Sequence, residues 1–359
     1  MLADSPELSI VIPTLNEASA IVSLIENLCE QKKSPSFEVI VVDGGSQDAT
    51  LAQVNALSEL CLKSVLVIDS LPGRAKQMNA GAQVASGQML LFLHADTLIE
   101  DPYLLKQANE EIKLAYDELG HERVAGHFGL YFIRQGSGYE RAYYFYECKT
   151  RLNRPGCING DQGMWLSRTF FEELGGFDES LGFMEDARIS ARIFQRGQWV
   201  SFSNSIFTSA RRFEVEGLKA RQTLNALLCA MDAIALDYFF EQARQAYKAQ
   251  TTTQQLDLQP FLVKIHQASW AKGISQGLKW WWRTGGFVAE NAWQLAFALD
   301  CRDSFAKGLS VADVESLRLQ RYERYLRSFI ESVVGRFLTM LVTFSWFYTK
   351  LLLGRIKKS

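Results

Sequence analysis

The stretch LSIVIPTLNE, residues 8–17, decides the fold of the first half of the chain. An apolar, β-branched run ends there in a polar turn, and FEVIVVDGGSQD at 37–48 repeats the pattern. Further strand patterns cover 64–68 and 88–93, and helix patterns cover 17–31, 47–59 and 74–85. Strands alternating with helices in this way predict βαβ units around a mainly parallel sheet. Ligands of such sheets bind at the carboxyl ends of the strands, where the turns after residues 12 and 42 would lie.

The rest of the chain predicts a second, helical part. A helix pattern at 102–119, a strand pattern at 124–133 and a helix-rich stretch at 139–197 complete the first part. The polar segment 241–260, which includes Thr251, Thr252, Thr253, Gln254 and Gln255, has no apolar periodicity and predicts a linker. We therefore expect an α/β domain over 1–215, a connecting helix over 216–240, a linker over 241–260 and a helical C-terminal region over 261–359.

Composition and charge exclude several classes of protein. The chain has 359 residues, of which 48% are hydrophobic and 22% charged, as in ordinary globular proteins. Its 38 basic and 40 acidic residues argue against a nucleic-acid-binding protein. The six cysteines include no CxxC pair, so neither a zinc site nor a disulfide framework is indicated. The polar N-terminus does not resemble a signal peptide, so we expect a cytoplasmic location. If the protein binds a membrane, we expect it on the inner face.

The end of the chain combines apolar and basic residues. Lys350 is the only charged residue in 337–354, and the flanking 318–336 and 355–358 are rich in arginine and lysine. Thr339, Thr343 and Lys350 recur at near-helical spacing, which predicts a narrow polar stripe on a helix lying along a surface. This pattern favours a peripheral membrane contact through 318–359; a core or dimer helix and a membrane-spanning helix are the alternatives. The tryptophans at 280–282 favour core packing over sugar stacking or an interfacial position.

The ordered motifs of the first part resemble those of glycosyltransferase family two, which has the GT-A fold. They are PTLNE at 13–17, VDGGSQD at 42–48, GRA at 73–75 with QMNAG at 77–81, and LFLHAD at 91–96. The resemblance continues through GDQG at 160–163, LGGF at 174–177 and MED at 184–186. It looks most like the bacterial branch of rSAM/selenodomain-associated glycosyltransferase-like proteins.

The resemblance implies a donor site for a nucleoside diphosphate sugar. Pro13, Thr14, Glu17 and Asp43 would hold the nucleoside, although Asp43 taken alone also fits a βα turn capped by Ser46 or Asp48. Asp96 matches the last acid of the DxD motif, which positions Mg²⁺ or Mn²⁺ on the diphosphate. His94 replaces the first acid of that motif, so the site offers one carboxylate fewer.

The resemblance also implies how the diphosphate would be held. Many relatives place an arginine directly before Asn79, where this chain has Met78. Arg74, one helical turn nearer the N-terminus, would take its place, and a solvated cation is the alternative. Asn79 belongs to the same motif, and Arg211 and Arg212 are further candidates for clamping diphosphate or an anionic acceptor.

Glu185 and Asp186 match the acidic pair from which the family draws its catalytic base. Asp186 would take the proton of the acceptor hydroxyl in an inverting transfer. A cap of the following helix is the alternative for both residues, and it is compatible with catalysis. Asp161 and Gln162 would line the donor or acceptor cleft, or else belong to a buried hydrogen-bond network.

The resemblance therefore implies metal-assisted, inverting transfer of a sugar from a nucleoside diphosphate donor, expected to be a UDP-sugar, to a small-molecule or lipid acceptor. A nucleotide-sugar-binding pseudoenzyme or scaffold is the alternative, motivated by His94 and the missing arginine. A nucleotidyltransferase fits less well because the first strand ends in PTLNE, without a basic glycine-rich loop. A dinucleotide oxidoreductase is disfavoured since no GxGxxG follows that strand.

Overall fold

The computed structural model describes residues 5–60, 65–180, 182–248, 250 and 255–356. The chain divides into two compact units. The first unit comprises Met1–Arg134, Lys149–Ser180 and Glu185–Ala210. The second comprises Gln135–Cys148, Leu181–Met184 and Arg211–Ser359.

The strands and helices of the described residues alternate through the first unit and give way to helices in the second. The strands are β1 (Leu8–Thr14), β2 (Phe37–Asp43), β3 (Val65–Asp69), β4 (Met89–Phe92), β5 (Thr97–Leu98), β6 (Val124–Ile133), β7 (Met164–Ser167) and β8 (Gln198–Ser209). The helices up to residue 196 are α1 (Ala18–Cys29), α2 (Thr50–Leu60), α3 (Arg74–Val84), α4 (Leu104–Leu119), α5 (Glu140–Lys149), α6 (Arg168–Glu173) and α7 (Glu185–Arg196). The later helices are α8 (Arg211–Glu216), α9 (Leu218–Ala233), α10 (Asp237–Lys248), α11 (Gln259–Trp270), α12 (Ile274–Glu290), α13 (Trp293–Ala306), α14 (Leu317–Arg321), α15 (Arg327–Ile330) and α16 (Val333–Ile356).

The first unit is built on one sheet with the strand order β3-β2-β1-β4-β7-β6-β8-β5. The first four strands in this order are parallel, and β6 also runs parallel to β8. Strand β7 is antiparallel to both β4 and β6. The register pairs Thr14 with Asp43 and Asp43 with Asp69, so the ends of three strands and the loops after them meet at one edge.

Helices cover both faces of this sheet. Along β1, Ile10 and Ile12 point into one hydrophobic core with α1 and α4, while Val11 points into a second core with α3 and α7. Because both faces are buried, β1 and β2 are nearly continuous apolar runs. The expected class, an α/β domain with a mainly parallel sheet followed by a helical region, is confirmed.

Two local predictions differ from the structure. Residues 241–248, expected in a linker, belong to α10, because Phe239, Phe240 and Ala243 are buried in the helical core. Thr251–Gln254 of that expected linker lie outside the described residues. The expected helix-rich stretch 139–197 also contains strand β7, whose four residues are all buried between β4 and β6.

The cysteines also differ in part from expectation. Cys29 is disulfide-bonded, whereas Cys148, Cys157, Cys229 and Cys301 are free thiols. Spacing along the sequence gave no sign of this bond, since no cysteines are paired in a motif.

The second unit has its own core of aromatic residues. Trp280 and Trp281 are buried, and Trp281 contacts Phe344 and Phe347 of α16 edge to face. The core interpretation of these two tryptophans is confirmed, while Trp282 is half-buried on α12.

Of the expected polar stripe of α16, Thr339 and Thr343 are half-buried, whereas Lys350 is exposed. The Thr339 hydroxyl donates to the Gly285 carbonyl of α12 at 2.8 Å, and the Thr343 hydroxyl donates to the Thr339 carbonyl. Gly285 permits this approach, since a Cβ there would lie 2.6 Å from the Met340 Cβ. The residues left exposed on α16 are mostly apolar: Val333, Val334, Phe337, Leu338, Leu341, Val342, Trp346, Leu352 and Leu353.

Candidate active site

A buried glutamine joins the ends of the first two strands. The Gln77 side-chain amide donates to the Thr14 carbonyl at 2.7 Å and to the Val42 carbonyl at 2.9 Å. The Gly44 backbone also donates to the Thr14 carbonyl, at 2.9 Å. A Cβ at Gly44 would lie 3.0 Å from the Gln77 amide nitrogen, so this position favours glycine. Sequence reasoning gave Gln77 no role, because its polar character does not show that it reaches two strand ends.

The Asp43 carboxylate organises its own turn. One oxygen accepts the Gly45 and Ser46 N–H groups, both at 2.8 Å, and the other accepts the Ser46 hydroxyl at 2.5 Å. Gly45 has φ 95°, a left-handed conformation that glycine adopts without strain. Asp48 accepts the Thr50 N–H at 3.0 Å where α2 begins, so the capped βα turn is also present. A carboxylate offers about four lone-pair sites, so three donors leave room for one ligand N–H or O–H.

The loops after β1 and β2 are joined by side chains. Asn16 accepts the Gln47 N–H at 2.8 Å and its own N–H donates to Ser46 at 2.9 Å. The Glu17 N–H donates to Thr50 at 2.9 Å. These contacts hold the two loops together beside the strand ends, the edge at which parallel sheets bind ligands.

The predicted nucleoside-binding residues sit at this same edge. Thr14 is buried, and its hydroxyl donates to the Val42 carbonyl at 3.3 Å, while Pro13 and Glu17 are half-buried. Their contacts with a nucleoside stay a prediction.

Four carboxylates and one guanidinium lie at the site. Arg74, at the start of α3, forms an ion pair with Glu185, with 3.1 Å between the Arg74 Nη1 and the Glu185 Oε1. Burial opposes the positive charge, but Glu185, Asp161, Asp186 and Asp96 raise the pKa of Arg74. We call Asp96, Asp161, Glu185 and Asp186 the carboxylate cluster. The guanidinium of Arg74 is thus paired, while 37% of its side chain is exposed to solvent.

Glu185 is the buried member of the cluster, with 8% of its side chain exposed. Burial and then the neighbouring Asp186 raise its pKa, while Arg74 opposes that rise. Glu185 therefore holds a proton to higher pH than an ordinary glutamate does.

Asp186 accepts one backbone hydrogen bond on each oxygen. The Gly160 N–H donates to Oδ2 at 3.0 Å, and the Ala187 N–H donates to Oδ1 at 2.8 Å. The first bond joins the start of α7 to the turn that begins at Gly160. Asp186 thus accepts one N–H of the first turn of α7, as the cap alternative expects, and each oxygen keeps a second lone pair for an acceptor hydroxyl.

His94 and Asp161 form a close pair. Their Nδ1 and Oδ1 atoms lie 2.6 Å apart, and His94 is 8% exposed. The other ring nitrogen of His94, Nε2, is buried and has no hydrogen-bond partner among the described residues. A Cβ at Gly160 would lie 2.9 Å from that nitrogen. Sequence reasoning assigned both residues to the site but did not predict their contact.

Asp96 is half-buried in the turn between β4 and β5. In the described part of the chain, no group of three His, Cys, Asp or Glu side chains could hold a metal ion by itself. A cation here would therefore need ligands from a bound diphosphate or water. Mg²⁺ is commonly bound in this way, through one or two carboxylates together with substrate phosphates.

Two predicted site residues, Gln162 and Asn79, have hydrogen bonds within the protein, and their contacts with a donor stay a prediction. Gln162 is buried, where its amide group donates to the Thr150 carbonyl at 2.9 Å and accepts the Asn159 N–H at 3.0 Å. Asn79 donates to the Phe177 carbonyl and accepts the Phe177 N–H, each at 2.9 Å. The buried-network alternative for Gln162 is therefore the one that the structure supports. The side chain of Asn79 holds the loop after α6.

Arg211 and Arg212 begin α8, in the second unit. Their expected clamp on diphosphate or an acceptor stays a prediction.

Comparison with known proteins finds similarity to one family over part of the chain. Residues 9–175 match the sequence model of Glycosyl transferase family 2. A PGL/p-HBAD biosynthesis glycosyltransferase of Mycobacterium tuberculosis is 38% identical over 93 residues, which are 26% of this chain and 36% of that protein. Glycosyltransferase AglE of Haloferax volcanii is 24% identical over 213 residues, 57% of this chain and 67% of its own. The chain thus spans about a third of the length of the mycobacterial relative.

Solved structures give a more distant likeness over the whole chain. A mannosyltransferase from Pyrobaculum calidifontis in complex with GDP-Man and Mn²⁺ is 16% identical, with a TM-score of 0.47 over 99% of this chain and 87% of its own. TarS of S. aureus in complex with UDP is also 16% identical, with a TM-score of 0.45 over 89% of this chain and 91% of its own.

Proposed function

We propose that this protein transfers a sugar from a nucleoside diphosphate donor to an acceptor hydroxyl. The proposal starts from the match of residues 9–175 to the model of Glycosyl transferase family 2. The observation that carries this proposal is the carboxylate cluster around Arg74, beside the carboxyl ends of the parallel strands. The donor is a nucleotide sugar, with a UDP-sugar as the first candidate. The acceptor is a small molecule or a lipid.

In this proposal the two halves of the donor are bound by different parts of the site. The joined loops after β1 and β2 hold the nucleoside, and the remaining lone pair of Asp43 accepts a base N–H or ribose hydroxyl. The diphosphate lies toward Arg74 at the N-terminus of α3, where the helix dipole and the guanidinium both favour negative charge. Arg74 then exchanges part of its contact with Glu185 for phosphate oxygens.

Asp186 is the proposed base for an inverting transfer. Its backbone hydrogen bonds fix both oxygens, and the free lone pairs can accept the acceptor's hydroxyl proton as that oxygen attacks the sugar. Glu185 is less suited to this role near neutral pH, because its pKa is raised and its carboxylate faces Arg74.

A divalent cation, Mg²⁺ or Mn²⁺, fits the site on one observation: the buried Nε2 of His94, two residues before Asp96, has no hydrogen-bond partner among the described residues. When bound, the cation would supply positive charge to the diphosphate leaving group. The rest of the coordination comes from phosphate and water, since the cluster alone does not form a metal site.

The competing proposal is a pseudoenzyme that binds a nucleotide sugar and acts as a scaffold. It would keep the nucleoside loops and lack turnover. Donor hydrolysis distinguishes the two, because both predict donor binding and only the enzyme releases nucleoside diphosphate.

A thermal-shift panel of UDP-, GDP-, dTDP- and CMP-sugars, with and without Mn²⁺, tests donor binding. At least one sugar nucleotide should raise the melting temperature, and Mn²⁺ should increase that rise. Asp96→Ala should remove the effect of Mn²⁺. Asp117→Ala, on the exposed face of α4, is the matched control and should not. A folded wild type that no donor stabilises would contradict the proposal.

We further propose that the C-terminal helices lie on a membrane surface, on its cytoplasmic side. Val333–Gly354 is long and apolar enough to cross a membrane by length and composition. One side of α16, however, is occupied by α12, and Arg336 pairs with Glu290 of α12 at 3.0 Å. A helix held in this way against a charged partner suits the interface better than the bilayer centre.

The outward side of these helices supports the same proposal. The exposed residues of α16 form an apolar stripe at helical spacing, with Val333 72% and Val342 70% exposed. Just before it, Tyr325, Leu326 and Phe329 are exposed among arginines 321, 324 and 327. Apolar side chains can enter the lipid while the arginines face anionic headgroups.

Vesicle sedimentation tests this location. The wild type should pellet with anionic vesicles at low salt, and the double variant Leu338→Glu/Val342→Glu should bind at least tenfold more weakly. Leu114→Glu, a 57% exposed leucine of α4, is the control and should bind as the wild type does. Equal binding by the double variant would contradict the proposal. The proposal would also be contradicted if the wild type does not bind vesicles but forms an oligomer that the double variant disrupts.

A further inference from the structure

The imidazole of His94 stands where the family motif has its first acid, and the structure gives it an unusual environment. Its Nδ1 lies 2.6 Å from the Asp161 carboxylate, and 8% of the residue is exposed. Its Nε2 has no hydrogen-bond partner among the described residues. A buried ring nitrogen without a partner is costly, which suggests that something absent from the protein chain satisfies it.

The contact with Asp161 decides which nitrogen carries the proton. A carboxylate accepts hydrogen bonds, so Nδ1 must donate, and in the neutral ring Nε2 then has a free lone pair. Metal-binding histidines are commonly oriented in this way, with the nitrogen remote from the metal donating to a carboxylate.

The turn at Gly160 leaves room beside this lone pair. A Cβ at position 160 would lie 2.9 Å from Nε2 and would crowd it. The same glycine donates its N–H to Asp186 at 3.0 Å, so Nε2 faces the part of the site where the carboxylate cluster begins.

We propose that His94 Nε2 is a ligand of the divalent cation that Asp96 binds, and that Asp161 positions the imidazole. This inference rests on the proposed donor site. A nitrogen ligand selects first-row transition ions over Mg²⁺, which prefers oxygen ligands. The chain therefore binds Mn²⁺ or Co²⁺ in preference to Mg²⁺. The histidine at position 94, where the family motif has an acid, changes which metal is bound and does not abolish metal binding.

Pulsed electron paramagnetic resonance of Mn²⁺ tests the ligand directly. With the full-length protein, Mn²⁺ and UDP or GDP, the spectrum should show nitrogen coupling from a directly bound imidazole. His94→Asp and His94→Gln should each lose that coupling. His121→Asn changes an exposed histidine and should keep it. A spectrum of the wild type without nitrogen coupling would overturn the proposal, whatever the variants do.

Nucleotide affinity tests the selectivity. UDP and GDP should bind the wild type at least tenfold more tightly with Mn²⁺ than with Mg²⁺, and His94→Asp should bring the two values together. Asp161→Asn should weaken Mn²⁺-dependent nucleotide binding about tenfold. Equal affinities with both ions in the wild type would overturn the proposal.

The failure of the donor site would look different. If neither nucleotide binds with any ion, the proposed function fails, whereas nitrogen coupling from Mn²⁺ added alone would still support His94 as a metal ligand. If nucleotides bind equally well with both ions and no nitrogen coupling is seen, the donor site stands and the role of His94 is wrong.

Discussion

Replacing Asp186 with asparagine separates the two roles of this carboxylate, proton acceptor and helix cap. Both oxygens accept a backbone N–H, from Gly160 at 3.0 Å and from Ala187 at 2.8 Å. Asparagine keeps one acceptor oxygen and places an NH₂ group opposite the other N–H. One charge-assisted hydrogen bond is lost and one donor is left without a partner, in a partly buried position.

The size of the stability loss follows from these contacts. Hydrogen bonds to charged groups contribute about 1.5–3 kcal/mol, and partial exposure places this one near the lower end, at about 1.5–2 kcal/mol. A unit of this size loses about 2–4 °C of melting temperature per kcal/mol, so we expect a fall of about 3–8 °C. Turnover should fall about 10²-fold or more, since the substitution removes the proton acceptor.

Asp300→Asn is the matched control. Asp300 is 3% exposed and accepts the Arg318 N–H at 2.9 Å and the Leu319 N–H at 2.8 Å, also one on each oxygen. It should lose at least as much stability and keep wild-type turnover at temperatures where it is folded. The assays are differential scanning calorimetry and release of nucleoside diphosphate from donor and acceptor. If Asp186→Asn melts lower but turns over near the wild-type rate, Asp186 is only a cap.

Three further variants test individual contacts. Burial and a neighbouring carboxylate raise the pKa of Glu185 above 4.5, so the free energy of unfolding should fall as pH rises from about 4.5 through that raised value. Denaturant titrations of Glu185→Gln should lack this fall; the same pH dependence as the wild type would refute the assignment. Gly81→Ala should cost about 1–3 kcal/mol, because its Cβ would lie 2.4 Å from the Val11 Cγ1, and an unchanged denaturation midpoint would show that the core yields. Asn79→Ala should lower stability by about 1–3 kcal/mol through its lost bonds to Phe177 while the Kd for nucleotide stays within twofold, and a tenfold rise in Kd in a folded variant would place Asn79 at the donor.

Local patterning was sufficient to predict much of the first unit. The apolar runs that end near residues 12 and 42 specify buried parallel strands, because both faces of this sheet are covered. Strand β7 was missed because four buried residues, Met164–Ser167, carry too short a pattern to separate from the helices around them. The expected linker over 241–248 was wrong because α10 has many polar residues on its exposed side, while Ala243 and Ala246 on its other side are buried in the core.

Long-range contacts of the site were beyond sequence reasoning. Arg74 and Glu185 are 111 residues apart, and no local pattern shows that their charges meet. Likewise, the sequence placed His94 and Asp161 in one site but could not show that one orients the other. The polar stripe of α16 was predicted, but not that Thr339 contacts another helix, since Gly285 of α12 decides how closely Thr339 can approach.

The most direct test of the central claim is release of nucleoside diphosphate from the sugar nucleotide that gives the largest thermal shift, measured with Mn²⁺ for the wild type, Asp96→Ala and Asp117→Ala. We predict metal-dependent release by the wild type and Asp117→Ala, and loss of the metal-dependent part in Asp96→Ala. Release that is the same in all three proteins, or no release by a folded wild type that binds the donor, would contradict a metal-assisted transferase built on this carboxylate cluster.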